Sequence, residues 1–165
     1  MRIFILRHGA TSESTEDTLR ELSKKGIDEV RKVVKLRRAE LANVKTFYSS
    51  PMKRVTQTLQ IASEVLRFKG DITESQNLTT GSRLSEIVTF VESLDPEGGD
   101  ILISSHQSCT SILVLWLIGE DILIPNGSLL AIRVESLSQG GGKILWQQTQ
   151  ENSTIKRATD FVDQF

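Results

Sequence analysis

One cysteine, Cys109, stands in a chain of 165 residues, so no internal disulfide can form. A domain of this size buries enough apolar surface to dispense with such staples, and the scarcity fits a reducing compartment. Only two histidines accompany it, His8 and His106, too few soft ligands for a structural zinc site. Neither sign of charge dominates: 20 Lys and Arg against 21 Asp and Glu give a formal net charge of -1. The basic footprint of a nucleic-acid binder is therefore missing. Long apolar runs are missing too. Ile3 to Leu6 stops at Arg7, short of the roughly 7 residues of a signal-peptide core, and Ile112 to Ile118 is far below the roughly 20 residues that span a bilayer. The expectation is a soluble, cytoplasmic chain without a membrane segment, forming one domain over residues 1–165. GxSxG, GxGxxG and GxxxxGK[ST] patterns do not occur, which leaves serine-hydrolase, dinucleotide and P-loop chemistry without support. No repeat, low-complexity stretch or linker interrupts the chain.

What is present is an alternation of buried-looking strands and amphipathic helices. Ile3-Phe4-Ile5-Leu6 is too apolar for a strand with a wet face and predicts one covered on both sides. Ile27, Val30, Val34 and Leu41 recur at helical spacing after Ser23, a suitable N-cap. The cluster KVVKLRR at 32–38 belongs to the solvated face of that helix. Thr46 to Ser49 predicts a short strand, and Ser50-Pro51 a cap and first position for a helix with Val55, Leu59, Ala62 and Leu66 inward. Residues 69–82 read as a loop, 83–94 as a third helix, Ile101 to Ser105 as a second buried strand and 108–118 as a fourth helix. Residues 129–134 and 143–150 flank the triple glycine at 140–142 as an antiparallel hairpin. The fold class is α/β: a three-layer sandwich with a mostly parallel central sheet, an antiparallel edge hairpin and helices on both faces.

Ligands of such sheets bind at the carboxyl ends of the strands. Arg7 and His8 follow the first strand, Arg54 lies in the first turn of the helix after the second, and His106 follows the third. A helix N-terminus favours an anion, and two arginines add planar forks of donors suited to phosphate. Taken singly, each could be a structural side chain. Gathered at one sheet edge, they call for a phosphoryl group as their partner.

The residues Leu6-Arg7-His8-Gly9 with Thr11, Leu22-Ser23 followed by Gly26, Ser50-Pro51 with Arg54, Gln57 and Thr58, and Ser105-His106 after an apolar strand resemble the histidine phosphatase (phosphoglycerate mutase-like) superfamily. The short length, the serine before His106, Leu78-Thr79-Thr80-Gly81 and the tryptophan-bearing hairpin at 143–147 look most like its small bacterial SixA-type phosphohistidine phosphatases. The resemblance implies that His8 is the nucleophile that accepts the phosphoryl group, that Arg7, Arg54 and His106 cradle its oxygens, and that a phosphohistidine intermediate is then hydrolysed by water. No cofactor or metal is implied, because positioning and charge neutralisation are most of what phosphoryl transfer requires. A protonated His106 is expected to stabilise charge on the transferring group. The implied partner is a phosphohistidine-bearing protein, either a phosphotransfer domain or a phosphocarrier, with no nucleic acid and no membrane; a monomer is expected.

The chain departs from that family at the proton donor. Many members carry Glu after the RHG triplet, where Ala10 stands, and most carry an acid after the middle Leu, where Thr80 stands. Glu13, Glu74 and Glu86 are close in sequence without matching. A phosphorylated imidazole can leave as a neutral ring after protonation on its other nitrogen, whereas an alkoxide benefits from a general acid. The missing acid thus favours phosphohistidine. Two alternatives stay open: a phosphatase of small phosphoesters in the same family, and a non-catalytic phosphohistidine-binding regulatory module.

Overall fold

Segments with apolar side chains on both sides of an extended backbone need two covering layers. The computed structural model, which describes residues 1–13 and 16–155, supplies them. The strands are β1 (Arg2–Arg7), β2 (Val44–Ser49), β3 (Ile72–Glu74), β4 (Asp100–Ser105), β5 (Leu129–Val134) and β6 (Gly142–Gln148), and the helices are α1 (Lys24–Leu36), α2 (Arg38–Leu41), α3 (Lys53–Leu66), α4 (Leu84–Glu92) and α5 (Gln107–Ile118). One six-stranded sheet runs in the order β3-β2-β4-β1-β5-β6. Its β1, β2, β3 and β4 are mutually parallel, while β5 runs antiparallel to β1 and β6 antiparallel to β5.

Alternate residues of β1 and β4 serve opposite cores. Ile3, Ile5, Ile101 and Ile103 pack with Ile87 and Val91 of α4 and with Leu113 and Leu117 of α5. Phe4, Leu6 and Leu102 pack on the other face with Val30 and Val34 of α1 and Leu59 and Ala62 of α3. The fold is therefore the three-layer α/β arrangement with a mostly parallel sheet and an antiparallel edge.

Three boundaries differ from the sequence reading. The first helix ends at Leu36 and restarts as α2, because Arg37 leaves helical geometry at φ -113°. Arg37 then stacks over Trp146 at 4.2 Å and bonds Glu40 and Gln148, so it anchors the hairpin to α1 instead of facing solvent. The neighbouring Val33 and Val34 are buried. Ser50-Pro51 neither caps nor begins α3, which starts at Lys53 after Met52, because the Ser50 hydroxyl is engaged elsewhere. Residues 69–82 hold the edge strand β3 and a single 3₁₀ turn at Gln76–Leu78. With three residues, one half-buried and two exposed, β3 has no periodicity to read. Residues 151–155 are irregular, and the remainder of the C-terminal segment lies outside the described residues.

One contact fixes the loop that carries His8. The main chains of Gly9 and Gly26 touch so closely that a Cβ on Gly26 would lie 2.0 Å from the Ala10 carbonyl oxygen, and one on Gly9 would lie 2.3 Å from that of Gly26. Ser23 caps α1 through Gly26 N–H at 3.1 Å and also donates to Ala10 O. Glu29 accepts the Ala10 N–H at 2.9 Å. Leu22 N–H donates to Gln57 Oε1 at 2.9 Å, tying the same segment to α3. Alanine at 26 gains helix propensity but meets backbone that no rotamer change can clear. We expect Gly26→Ala to destabilise the fold by about 2 kcal/mol, read by urea denaturation, and to depress activity through displacement of residues 8–10. Wild-type stability in this variant would disprove the close contact.

Candidate active site

The parallel strands end at one level: Arg7 of β1 pairs with Ser105 of β4, and Ser49 of β2 with Ser104. The residues that leave the sheet there, His8, Ser50 and His106, are consequently neighbours. A pocket of about 460 Å³ opens above them, and its lining includes Arg7, His8, Arg54 and His106. All four residues singled out in the sequence are thus brought together.

His8 is held by its own loop. Its Nδ1 lies 2.8 Å from the Gly9 carbonyl oxygen, which can only accept, so Nδ1 carries the proton and Nε2 keeps its lone pair. The His8 main-chain oxygen accepts from Gly127 N–H at 2.9 Å, where Gly127 adopts φ +62°, and Arg7 N–H donates to Ser128 O. Arg7 Nη1 donates to Ile124 O at 2.7 Å. Its Nε is the one buried side-chain donor without a protein acceptor among the described residues, a costly condition that an oxyanion would relieve.

Arg54 is buried, 3% exposed. Its Nη1 donates to Asp17 O at 2.8 Å, while Nη2 meets both Asp17 Oδ2 and His106 Nδ1 at 3.2 Å. Because a guanidinium only donates, His106 Nδ1 must be the acceptor, which leaves the ring's proton on Nε2, 2.9 Å from Ser50 Oγ. The two imidazoles meet edge to face with centroids 5.5 Å apart. In α3, Thr58 Oγ1 donates to Arg54 O within the helix, while Gln57 accepts from Leu22 N–H and ties α3 to the segment before α1.

Both imidazoles are kept neutral. Burial, with the positive Arg54, Arg7 and Arg20 adding to it against the Gly9 bond, lowers His8 to about 4. Burial and then Arg54 lower His106 to about 3. The expected protonated His106 is therefore corrected for the free site: a donor occupies Nδ1, and cationic neighbours oppose a second proton. Since the folded values lie below the unfolded value of about 6.5, the stabilisation is complete above pH 6.5. It is lost as pH falls toward 4 and 3, where the unfolded chain takes up protons that the folded chain refuses. We expect unfolding free energy to fall across that window, and His8 ring resonances to stay unshifted in an NMR titration from pH 8 to 5. Titration near 6.5 would contradict the geometry.

Thr11, part of the motif read with His8, lines the pocket too, and several lining residues were not singled out in the sequence: Arg20, Gln107, Ser108 and Asn126. Arg20 is the third guanidinium of the pocket, and its segment gives no periodic signal. The helix terminus at the pocket is that of α5, through Gln107 and Ser108, while α3 contributes Arg54 alone. Thr80 lines the pocket as well. It reaches there because Ser105 Oγ donates to Leu78 O at 2.6 Å, fastening the middle segment to the end of β4. The glutamates considered as acids do not line the pocket: Glu13 and Glu74 are exposed, and Glu86 accepts the Arg83 N–H at the start of α4. Cys109 is buried in the α5 core, where burial pushes its thiol up, as befits packing and not attack. Among the described residues, no three His, Cys, Asp or Glu side chains form a metal-binding group, and no helix is long and apolar enough to cross a membrane.

The model of the histidine phosphatase superfamily (branch 1) matches residues 3–79. Among solved structures, the protein histidine phosphatase SixA complexed with tungstate superposes with a TM-score of 0.83 at 24% identity, over 92% of this chain and 99% of that one. A SixA phosphohistidine phosphatase candidate from Nakamurella multipartitia gives 0.77 at 17% identity, over 89% and 94% of the two chains. Another, from Agrobacterium tumefaciens, gives 0.76 at 16% identity, over 90% and 97%. At these identities the structural likeness establishes the fold. No curated protein sequence matches the chain significantly.

Proposed function

We infer that this member of the histidine phosphatase superfamily is a phosphohistidine phosphatase, acting on a phosphohistidine carried by a signalling or phosphocarrier protein. The observation that carries the reading is the His8 tautomer: Nδ1–H is spent on Gly9 O, so an unprotonated Nε2 is available beside the guanidiniums of Arg7, Arg20 and Arg54. A neutral imidazole with a preset lone pair is a nucleophile, and three cations beside it suit a tetrahedral dianion. Tungstate, which the SixA structure binds, is an oxyanion of that class.

In the proposed reaction, His8 Nε2 attacks phosphorus, forming a P–N bond as the substrate's own P–N bond breaks. The substrate imidazole, which has taken a proton from solvent on its other nitrogen beforehand, keeps the pair from the broken bond and leaves neutral, and the phosphorylated His8 keeps its own proton on Nδ1. Water then attacks the phosphorus, releasing orthophosphate and returning the electron pair to Nε2. Arg7 and Arg54 hold the oxygens; neutral His106, which can donate only through the Nε2–H now given to Ser50, joins them by releasing that bond, and no metal is needed for charge balance. Thr80 at the lining position offers a hydroxyl but no acid, which disfavours ester leaving groups.

The test is a hydrolysis panel: a phosphohistidine protein, a phosphoaspartate protein, and serine and sugar phosphates. The phosphohistidine protein is expected to turn over fastest, and Thr80→Glu to raise ester hydrolysis relative to it. Equal rates on esters and phosphohistidine in the wild type would favour the small-phosphoester alternative.

A further inference from the structure

Asp17 contacts Arg54 through two different groups. Its main-chain oxygen accepts from Nη1 at 2.8 Å, and its carboxylate meets Nη2 at 3.2 Å. The other carboxylate oxygen lies 3.5 Å from Arg20 Nη2. A single carboxylate therefore sits against two of the pocket's three guanidiniums.

Arg54 Nη2 has two hydrogens, and Asp17 Oδ2 and His106 Nδ1 take both. A phosphoryl oxygen that binds this nitrogen must displace one of them. His106 is 3% exposed and fixed by Ser50, whereas the Asp17 side chain is 48% exposed. The carboxylate is the partner free to move.

We propose that the Asp17 carboxylate is an internal stand-in for the substrate's phosphoryl group. It neutralises Arg20 and Arg54 in the free site, gives way when a phosphoryl anion enters, and competes with orthophosphate for the same donors once the reaction is over. This deepens the phosphatase reading and rests on it. The carboxylate opposes every anion that binds, product included, so it exchanges affinity for release. Meanwhile the main-chain oxygen of Asp17 keeps Arg54 in place when the side chain departs.

That division of labour makes the idea testable. Asp17→Asn keeps the size and the main-chain oxygen and removes only the charge. Orthophosphate binding is measured by calorimetry on wild type, Asp17→Asn and Arg54→Met, alongside steady-state hydrolysis of a phosphohistidine protein. Asp17→Asn is expected to bind orthophosphate about fivefold more tightly or better, with a lower KM and a kcat that does not rise. A carboxylate that merely braces Arg54 would give weaker orthophosphate binding and a higher KM. Either that result or unchanged affinity overturns the proposal. If Arg54→Met binds orthophosphate as well as wild type, the phosphatase reading of the pocket fails instead, whatever Asp17 does.

Discussion

The His8→Ala variant is expected to form no phosphoenzyme and to lose about 10⁴-fold or more of its turnover of a phosphohistidine protein. The argument is local. The Gly9 carbonyl assigns the ring proton to Nδ1, and no other side chain of the pocket combines a free lone pair with the low proton affinity seen here. His106 cannot substitute, because its Nδ1 accepts from Arg54 and its Nε2 carries hydrogen toward Ser50. The His8 ring belongs to neither apolar core, so the variant should fold. Radiolabelled substrate and a denaturing quench at alkaline pH, where a P–N bond survives, detect the intermediate. Label retained by His8→Ala would assign the nucleophile elsewhere, and a wild type that never labels would favour a binding module.

Arg54→Met is expected to cost about 10³-fold in kcat/KM. Arg54 is the hub of the pocket, with bonds to Asp17 and His106 from one guanidinium. Its loss removes charge from the transferring group and a donor that fixes the His106 ring. The same change should raise the His106 pKa above its value of about 3, since Arg54 stands next after burial among the causes that lower it. Arg54→Lys restores the charge but not the planar fork and should recover only part of the activity. An NMR titration in which His106 does not move would show that burial alone sets its protonation.

Legibility followed the length scale of the interactions. The strands β1 and β4 were readable because burial on both faces demands unbroken apolar runs, and the helices because one wet face imposes a period. His8 and His106 were readable because both stand where such a run ends. Asp17 and Arg20 were not: Asp17 takes its meaning from an ion pair to Arg54, 37 residues away in the chain, and Arg20 from lining the same pocket beside Asp17. Nothing in a polar stretch records which distant residue it will meet. Asn126 was hidden differently, since Pro125-Asn126-Gly127 announces a turn without saying that its backbone will seat His8. A histidine near an expected anion suggests an imidazolium, whereas burial, with the neighbouring Arg54 adding to it, reverses that balance for His106.

The antiparallel pairing of β1 with β5 carries a consequence for how the pocket is assembled. Three of the four cradle residues emerge within the first 54 of the chain, inside the segment that bears the family signature. Yet part of the grip on Arg7 and His8 comes from Ile124, Gly127 and Ser128. A growing polypeptide therefore displays every early motif, and the loop contacts to α1, before the last of the bonds that hold Arg7 and His8 can form. Contacts this remote in sequence form slowly, which makes closure of the last third of the chain the event that completes the pocket.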